Sequence, residues 1–292
     1  MKKTKTFFFF GFGQVAREFV NKLNSYKVPF KFSATSRKKT HDINIQNVRY
    51  KKFQFNEKNF DNELIKNLEA SDHILVSIPP INGKDVVIKN FSEILKRKKT
   101  KWITYLSATS VYGNHQGKWV DETSETKPTS INGIERLKAE KAWIELSKKH
   151  DLPFQIFRLS GIYSNHYNIL NRLKTGDAKI VDKNSHFFSR VHIEDIAEIL
   201  CVSLNNFKKN EIYNISDDQP ASAIEVAMYG AKLLGINKFK KIKINEIEGE
   251  MLKNFYKDSK KVDNKKMKEF FNYKLRYSTY VNGLNHIFNN KI

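Results

Sequence analysis

The chain opens with a strand, a glycine turn and a helix in immediate succession, and this arrangement constrains its fold more than any other feature. Phe7–Gly11 is a short apolar run of strand length. Gln14–Ser25 then places its apolar residues at helical spacing on one face. Gly11 and Gly13 stand between the two patterns, where a tight turn needs small residues. We therefore predict a β-strand that turns sharply into an α-helix.

The same alternation of strand and helix patterns continues through the first half of the chain. Such alternation is typical of a parallel sheet with helices on both faces, the doubly wound α/β (Rossmann) fold. Further strands are predicted at Phe30–Ala34, Val48–Phe55, His73–Ile78, Trp102–Leu106 and Phe154–Leu159, and helices at Phe60–Glu69, Val86–Leu95 and Asn132–His150.

After Gly161 the pattern becomes less regular, which predicts a smaller C-terminal region that caps the core on its substrate side. We assign residues 1–165 and 188–216 to the dinucleotide-binding core, and residues 166–187 and 217–292 to the substrate-capping region. Helices are predicted at Asp195–Leu204, Ala221–Leu234, Asn264–Phe271 and Tyr280–Phe288, and strands at Glu211–Ile215 and Lys241–Ile247.

The opening turn has the composition of a phosphate-binding loop. Gly11 permits the tight turn, and Gly13 lets the main chain approach a pyrophosphate closely. Gln14 and Val15 begin the helix, where free N–H groups and the helix dipole attract an anion. The turn therefore predicts a dinucleotide cofactor. The alternative is a glycine-rich turn without a ligand.

The end of the second strand distinguishes NADP from NAD. NAD-binding folds carry a carboxylate about twenty residues after the turn, which binds the ribose hydroxyls. Ser36, Arg37 and Lys38 occupy this region instead, and they offer hydroxyl and cationic donors that suit a 2′-phosphate. NADP is favoured and NAD remains possible. In the alternative interpretation, Arg37 and Lys38 only solvate a loop.

Ser77 and Pro79 follow the fourth predicted strand, where a parallel sheet offers its cofactor crevice. Contact with the cofactor is predicted there, although the proline by itself is also explained as the end of a strand. His, Cys and carboxylate residues do not show metal-ligand spacing, so no metal site is predicted.

The net charge of +21 raises the question of nucleic-acid binding. The lysines are scattered rather than gathered into one stripe, so we predict a solvated surface and no nucleic-acid partner. The single cysteine, Cys201, lies in an apolar run and is predicted to be a buried helix residue. No segment approaches the roughly 18 apolar residues of a membrane span. A cytoplasmic protein, either monomer or homodimer, is expected.

Beyond the glycine turn, several segments resemble the extended short-chain dehydrogenase/reductase superfamily, in particular its NAD-dependent epimerase/dehydratase family. They occur in the expected order, and His115–Gly117 with Arg136–Trp143 is similar to an atypical bacterial branch of that family. The segments that carry the resemblance are Tyr105–Gly113, Phe157–Tyr163, Val191–Ala197 and Tyr213–Ser216.

The resemblance implies a catalytic tyrosine four residues before a lysine on one helix, so that the ammonium group lowers the pKa of the phenol. Lys138 matches the lysine position, but Ile134 stands in the tyrosine position. The family's Ser or Thr position matches Ala108. The predicted catalytic candidates are Tyr112 as a substitute proton donor, Ser107 and Thr109 as groups that orient a carbonyl, and Lys138, which is also expected to contact the cofactor ribose.

Each of these candidates has a simpler interpretation. Tyr112 could be a packing or substrate-contact tyrosine, and Lys138 could be a solvated helix residue. His192 is expected to pack structurally, Asp195 to cap a helix, and Arg190 is a candidate to bind an anionic substrate. The resulting hypothesis is an NAD(P)-dependent oxidoreductase or epimerase-like protein that acts on a small polar, sugar-like substrate. The alternative is a non-catalytic NAD(P)-binding sensor or partner-binding module.

Overall fold

The computed structural model describes residues 4–37, 43–45, 48–57, 59–60, 62–97, 99–178, 180–181, 183, 186–249, 253 and 256–291. Lys38, one of the predicted cofactor contacts, lies outside the described residues. The strands are β1 (Lys5–Phe10), β2 (Phe30–Ser36), β3 (Ile43–Ile45), β4 (Val48–Gln54), β5 (His73–Val76), β6 (Trp102–Ala108), β7 (Trp119–Val120), β8 (Phe154–Leu159), β9 (Gly161–Tyr163), β10 (Ile180–Val181), β11 (Arg190–His192), β12 (Glu211–Ile215), β13 (Lys241–Ile242) and β14 (Lys261–Val262). The α-helices are α1 (Gln14–Ser25), α2 (Asn62–Glu69), α3 (Val86–Arg97), α4 (Ile131–His150), α5 (Ile169–Lys174), α6 (Ile193–Ser203), α7 (Ala223–Leu234), α8 (Lys265–Phe271) and α9 (Tyr280–Lys291).

Eight of the described strands form one sheet, in the order β12-β8-β6-β5-β1-β2-β4-β3. The pairs β6–β5, β5–β1, β1–β2 and β2–β4 are parallel. β3 joins the edge antiparallel to β4 and was not predicted from the sequence. The chain runs outward from β1 in both directions, so the strand order reverses between β1 and β5. The predicted doubly wound parallel α/β fold is confirmed, and ligands bind such sheets at the carboxyl ends of strands beside the reversal.

The sheet is covered on both faces, which is why β1 is apolar at every position from Phe7 to Phe10. Phe8 and Phe10 belong to a buried cluster that includes Phe91 of α3 and Trp143 of α4. On the other face, Phe7 makes an edge-to-face contact with Phe19 of α1, with ring centroids 5.7 Å apart. Burial of one such side chain stabilises the fold by about 1.5–3 kcal/mol.

One buried carboxylate connects two of the covering helices. Oδ1 of Asp85 accepts hydrogen bonds from the amides of Val87 and Ile88, both at 2.9 Å, and so caps the start of α3. Oδ2 accepts a hydrogen bond from Nε1 of Trp143, also at 2.9 Å. Trp143 lies on α4, so this carboxylate holds α4 in one rotation about its own axis.

The chain forms two compact units. The first comprises residues 1–107, 135–157 and 196–212, and the second comprises residues 108–134, 158–195 and 213–292. The sequence-based division had assigned residues 108–134, 158–165, 188–195 and 213–216 to the core, whereas these residues group with the second unit.

The second unit contains three two-stranded parallel ladders, β11–β9, β10–β13 and β14–β7. Its helices α5, α7 and α9 surround an apolar cluster that includes Leu170, Val226 and Leu284. α7 begins at a capping box, because Ser222 accepts from the amide of Glu225 and Glu225 accepts in return from Ser222.

The predicted strand Lys241–Ile247 is wrong over most of its length. Only the two residues of β13 form a ladder, and a 3₁₀ turn at Ile244–Glu246 interrupts the rest of the segment. β13 pairs with the two residues of β10, and no other described strand pairs with the residues that follow. Ile244 is correspondingly exposed.

Candidate functional site

The carboxyl ends of β1, β2 and β5 are joined through the predicted glycine turn. Gly11 has φ +89°, and a Cβ there would lie 2.7 Å from Oγ of Ser77. The amide of Gly11 donates to Oγ1 of Thr35 at 2.8 Å, and Oγ of Ser77 donates to the main-chain oxygen of Phe10 at 3.0 Å. Gly11 is therefore favoured first by its positive φ and also by the close approach of Ser77, which holds the turn through its side chain.

Gly13 is glycine for a different reason. A Cβ at Gly13 would meet nothing within 4 Å, so the space above its main chain is open. Gly13 is the N-cap of α1 and provides no side-chain cap, and the first turn of the helix contains no acidic residue. Within the described residues, the amides of Gln14 and Val15 have no acceptor. Open space, free amides and the helix dipole together fit a phosphate group.

Arg17 is a functional candidate that the sequence analysis missed. It is exposed in the first turn of α1 and donates from Nε to the main-chain oxygen of Phe12 at 3.4 Å. Its guanidinium group lies 5.4 Å from the Phe12 ring centroid. A cation at a helix N-terminus is unfavourable for the helix itself, but it favours a bound anion there. A basic residue in the first turn of a helix, where acidic residues are usual, was the signal in the sequence that could have identified Arg17.

The end of β2 carries the residues predicted to contact a 2′-phosphate. Ser36 is half-buried and Arg37 is exposed, while Lys38 lies outside the described residues. The main-chain oxygen of Arg37 accepts a hydrogen bond from Nε2 of Gln54 at 3.3 Å, which joins β2 to the end of β4. Pro79 is exposed beyond the end of β5.

Arg136, rather than Lys138, reaches the end of β6. Nη1 of Arg136 donates to the main-chain oxygen of Leu106 at 2.6 Å, and its guanidinium lies 6.0 Å from the Tyr105 ring centroid. Ser107 follows Leu106, and its hydroxyl is buried without a hydrogen-bond partner among the described residues. The end of β6 therefore presents one cation and one free hydroxyl.

Lys138 occupies a different side of α4. It is exposed and lines a shallow depression of about 270 Å³ together with Gly83, Asp85 and Lys89. Two residues along a helix correspond to a rotation of about 200°, so Arg136 and Lys138 cannot share a face. Arg136 lies in register with the buried face of α4, and the i, i+3, i+4, i+7 spacing could have revealed this. The members of that face are Arg136, Ala139, Glu140 and Trp143.

Tyr112 is fully buried in the second unit, where it ends the 3₁₀ turn that begins at the half-buried Thr109. Its hydroxyl donates to Oδ1 of Asn214 at 2.7 Å, and the Arg158 guanidinium lies 4.8 Å from its ring centroid. Burial raises the pKa of Tyr112 to about 12. These contacts favour the packing interpretation of Tyr112, because a buried, bonded phenol with a raised pKa exchanges protons poorly at neutral pH.

His192 has the structural role expected of it. It is fully buried between Tyr163 and Tyr277, with ring centroids 5.0 and 4.0 Å away. Burial lowers the pKa of His192 to about 3, so the ring is neutral at physiological pH. A neutral, enclosed imidazole between two aromatic rings packs the interior of the second unit.

The prediction that Asp195 caps its own helix is wrong. Asp195 lies in the first turn of α6, but its carboxylate accepts from the amides of Arg276 and Tyr277 and from the hydroxyl of Tyr273. The carboxylate therefore anchors the segment between α8 and α9. Because its partners lie about 80 residues away in the sequence, local pattern contained no signal for them.

The described part of the chain contains no group of His, Cys, Asp or Glu side chains that could hold a metal ion. None of the described helices is both long enough and apolar enough to cross a bilayer.

The sheet and its open glycine turn define a doubly wound protein whose first helix begins at a turn that fits an anion. A family model described as the NAD dependent epimerase/dehydratase family matches residues 86–216. The chain belongs to the NAD-dependent epimerase/dehydratase family, as its sequence motifs indicated. No curated protein is similar enough to count as a match.

Solved structures resemble the chain over nearly its whole length. A functionally unknown conserved protein from Silicibacter pomeroyi is 30% identical, with a TM-score of 0.87 over 97% of this chain and 98% of that one. A dTDP-glucose 4,6-dehydratase from Bacillus anthracis in complex with NAD is 18% identical, with a TM-score of 0.77 over 98% and 96%. A UDP-glucuronic acid 4-epimerase from Bacillus cereus in complex with NAD is 18% identical, with a TM-score of 0.78 over 97% of each chain. The last two share the fold.

Proposed function

We propose that the chain binds a nicotinamide dinucleotide through its first unit and acts as an NAD(P)-dependent oxidoreductase or epimerase-like enzyme on a small polar, sugar-like substrate. The observation that carries this proposal is the open space above Gly13, at an α1 N-terminus that has neither a side-chain cap nor an acidic first turn. Membership of the family and the NAD complexes of two similar folds support it.

The cofactor's charged groups match the donors at the carboxyl ends of β1 and β2. The amides of Gln14 and Val15 would hold the pyrophosphate, and the exposed Arg17 would add positive charge beside it. Ser36, Arg37 and Lys38 would bind a 2′-phosphate, so NADP is proposed in preference to NAD. A carboxylate that could bind the ribose hydroxyls of NAD is absent from this stretch of the sequence.

When bound, the nicotinamide ring supplies a site that accepts or donates hydride. The Ser107 hydroxyl, which has no partner among the described residues, can donate to a carbonyl oxygen or accept from a hydroxyl group. The guanidinium group of Arg136 carries several N–H donors and no acceptor, so it can position a ligand by hydrogen bonding. Thr109, near the end of β6, remains a candidate for orienting a substrate carbonyl.

A second function is favoured by one observation. Tyr112, the leading candidate to replace the missing tyrosine, has its hydroxyl buried against Asn214. A positioned general acid or base contributes about 10²–10⁴-fold in rate, and its loss would leave slow turnover or none. The alternative function is therefore cofactor binding without turnover, as in a sensor or a partner-binding module.

Cofactor binding is tested with Gly13→Val, since a side chain there enters the space proposed for the pyrophosphate and its Cβ has no protein atom within 4 Å. NADP at about 100 times its dissociation constant should stabilise the wild-type protein by about 2.7 kcal/mol. The variant should lose this ligand-induced shift and keep the melting temperature of the free protein. Equal NADP stabilisation in both proteins would contradict the proposal, as would failure of the wild type to bind either NADP or NAD.

Cofactor preference and turnover need separate measurements. Arg37→Glu should weaken NADP binding at least tenfold while NAD binding changes little, because the new carboxylate repels a 2′-phosphate. Turnover is tested by following reduced nicotinamide absorbance with UDP-glucose and UDP-glucuronic acid, the ligands named for similar folds. Product formation would support the enzyme. Binding of NADP with neither nicotinamide reduction nor an altered sugar product across a panel of sugars would support the non-catalytic alternative, because an epimerase returns the hydride and leaves no net reduction.

A further inference from the structure

Arg190 is held rigidly within the second unit. It begins β11, which pairs with β9 through Arg190 and Gly161. Nη1 donates to the main-chain oxygens of Phe188 and Ala221, at 3.0 and 2.8 Å. These two residues also hydrogen-bond to each other through their main chains, as an isolated bridge. The guanidinium group is therefore oriented before any ligand arrives.

The rest of this guanidinium has no hydrogen-bond partner in the part of the chain that the structure describes. Within the described residues, Nε and Nη2 donate no hydrogen bond and no carboxylate forms an ion pair with Arg190. The side chain is half-buried, so part of it remains accessible. Burial lowers the pKa of Arg190, with Asp217, Tyr280, Tyr256 and Tyr163 acting against that shift. A partly dehydrated cation with no ion pair among the described residues is costly unless an anion completes it.

Two acidic residues, Glu225 and Asp217, interact electrostatically with Arg190, but neither balances its charge at neutral pH. Glu225 accepts hydrogen bonds from the amide and hydroxyl of Ser222, which commits it to the start of α7. Asp217 is buried, and burial raises its pKa to about 8 despite the opposing influence of Arg190. Burial therefore favours the uncharged form of Asp217, and Asp218 nearby adds to the raised pKa.

We propose that Arg190 is the specificity-determining anchor for an oxyanion of the substrate, either a carboxylate or a phosphoryl group. The two free N–H-bearing atoms of a guanidinium form a planar edge that matches two oxygens of such a group. The ring centroid of Phe188 lies 5.9 Å from the guanidinium carbon, so this ring packs beside the group. This inference rests on the proposed function, because it defines the substrate as an anionic polar molecule.

The test measures binding of three probes to the full chain at low salt by calorimetry: inorganic phosphate, glucuronate and uncharged glucose. At least one anion should bind more tightly than glucose, and the anion that binds identifies the phosphoryl or the carboxylate source. Arg190→Gln should weaken binding of that anion at least tenfold. Lys174→Gln, which removes the same charge from an exposed position on α5, should change the affinity for the anion less than twofold.

NADP binding is measured on the same samples. Loss of anion binding with NADP affinity unchanged supports Arg190 as the anchor. Anion binding that depends on Arg190 in a chain that fails to bind NADP would refute the proposed function and leave this inference standing. Wild-type anion affinity in Arg190→Gln, or no anion binding by the wild type, overturns the inference. If Arg190→Gln does not fold, Arg190→Lys decides, since it retains the charge without the planar edge, and wild-type affinity there also overturns it.

The protonation state of Asp217 adds a pH readout. Above pH 8 the carboxylate forms and competes with the ligand for Arg190, so anion affinity should fall as pH rises. In Asp217→Asn the side chain cannot ionise, and this fall should disappear. Four groups interact electrostatically with Asp217, namely Arg190, Asp218, Tyr163 and Tyr280. An unchanged pH profile in the variant would contradict the assigned role of Asp217.

Discussion

Arg136 donates a 2.6 Å hydrogen bond from Nη1 to the main-chain oxygen of Leu106. This bond joins the buried face of α4 to the last residues of β6. It brings a permanent positive charge to the edge of the sheet where Gly11 and Ser77 also lie. A ligand bound along this edge would therefore meet a guanidinium group from α4, while the ammonium group of Lys138 lies on another side of the helix.

Arg136→Ala should weaken NADP binding about tenfold, because a charge-assisted hydrogen bond is worth about 1.5–3 kcal/mol and part of that serves the fold. Lys138→Ala should have a smaller effect, within about twofold. Calorimetric titration of both variants measures the difference, with Lys141→Ala as a control on the exposed face of α4. The reverse order of effects would restore Lys138 as the cofactor-facing cation.

Asp85→Ala should lower the free energy of unfolding by about 2–4 kcal/mol, because it removes the cap of α3 and leaves buried donors unpaired. Chemical denaturation measures this loss. Asp72→Ala is the matched control, since it removes an aspartate whose ion pair with Lys101 is partly exposed. The control should cost less than about 1 kcal/mol. Similar losses in both variants would show that Asp85 does not organise the two helices.

Tyr112→Phe should lower the free energy of unfolding by about 1–2 kcal/mol, since Asn214 loses a buried hydrogen-bond partner. The same variant should keep wild-type NADP affinity, because the hydroxyl points into the second unit's own hydrogen bonds. Denaturation and titration on one preparation separate the two effects. If an active substrate is found and Tyr112→Phe lowers kcat a hundredfold with stability intact, Tyr112 is the proton donor after all.

His192 should make the protein sensitive to mild acid. Its pKa in the folded chain is about 3, below the ordinary value of 6.5, so the unfolded chain binds the additional proton. The stabilising contribution is complete above pH 6.5 and decreases by about 1.4 kcal/mol per pH unit as pH falls toward 3. Denaturation midpoints between pH 7 and pH 5 measure this slope. His192→Phe should reduce the slope without removing it, because burial also lowers the pKa of His73 and of His186 to about 4. An unchanged slope would assign the acid sensitivity to other groups.

Much of the first unit follows from local pattern. The apolar run before Gly11 and the amphipathic α1 after Gly13 are recognisable because strand and helix periodicities are properties of neighbouring residues. The strands β1, β2, β4, β5, β6, β8 and β12 were all predicted close to their observed positions. The family motifs were equally readable. The short ladder β10–β13 and the anchoring of Asp195 were not, because each depends on partners distant in the sequence.

Local sequence was sufficient to predict the glycine turn, the helix that follows it and the parallel fold that begins there. Backbone freedom and side-chain spacing depend on neighbouring residues, which a sequence shows directly. Helical spacing alone puts Arg136 and Lys138 on different faces of α4. Only the folded chain decides that the face with Arg136 meets the end of β6, because Trp143 against Asp85 and the apolar interior hold α4 in place. The protonation states of Asp217, His192 and Tyr112 were likewise set by burial, since removal from water changes the cost of charge in a way that no sequence spacing records.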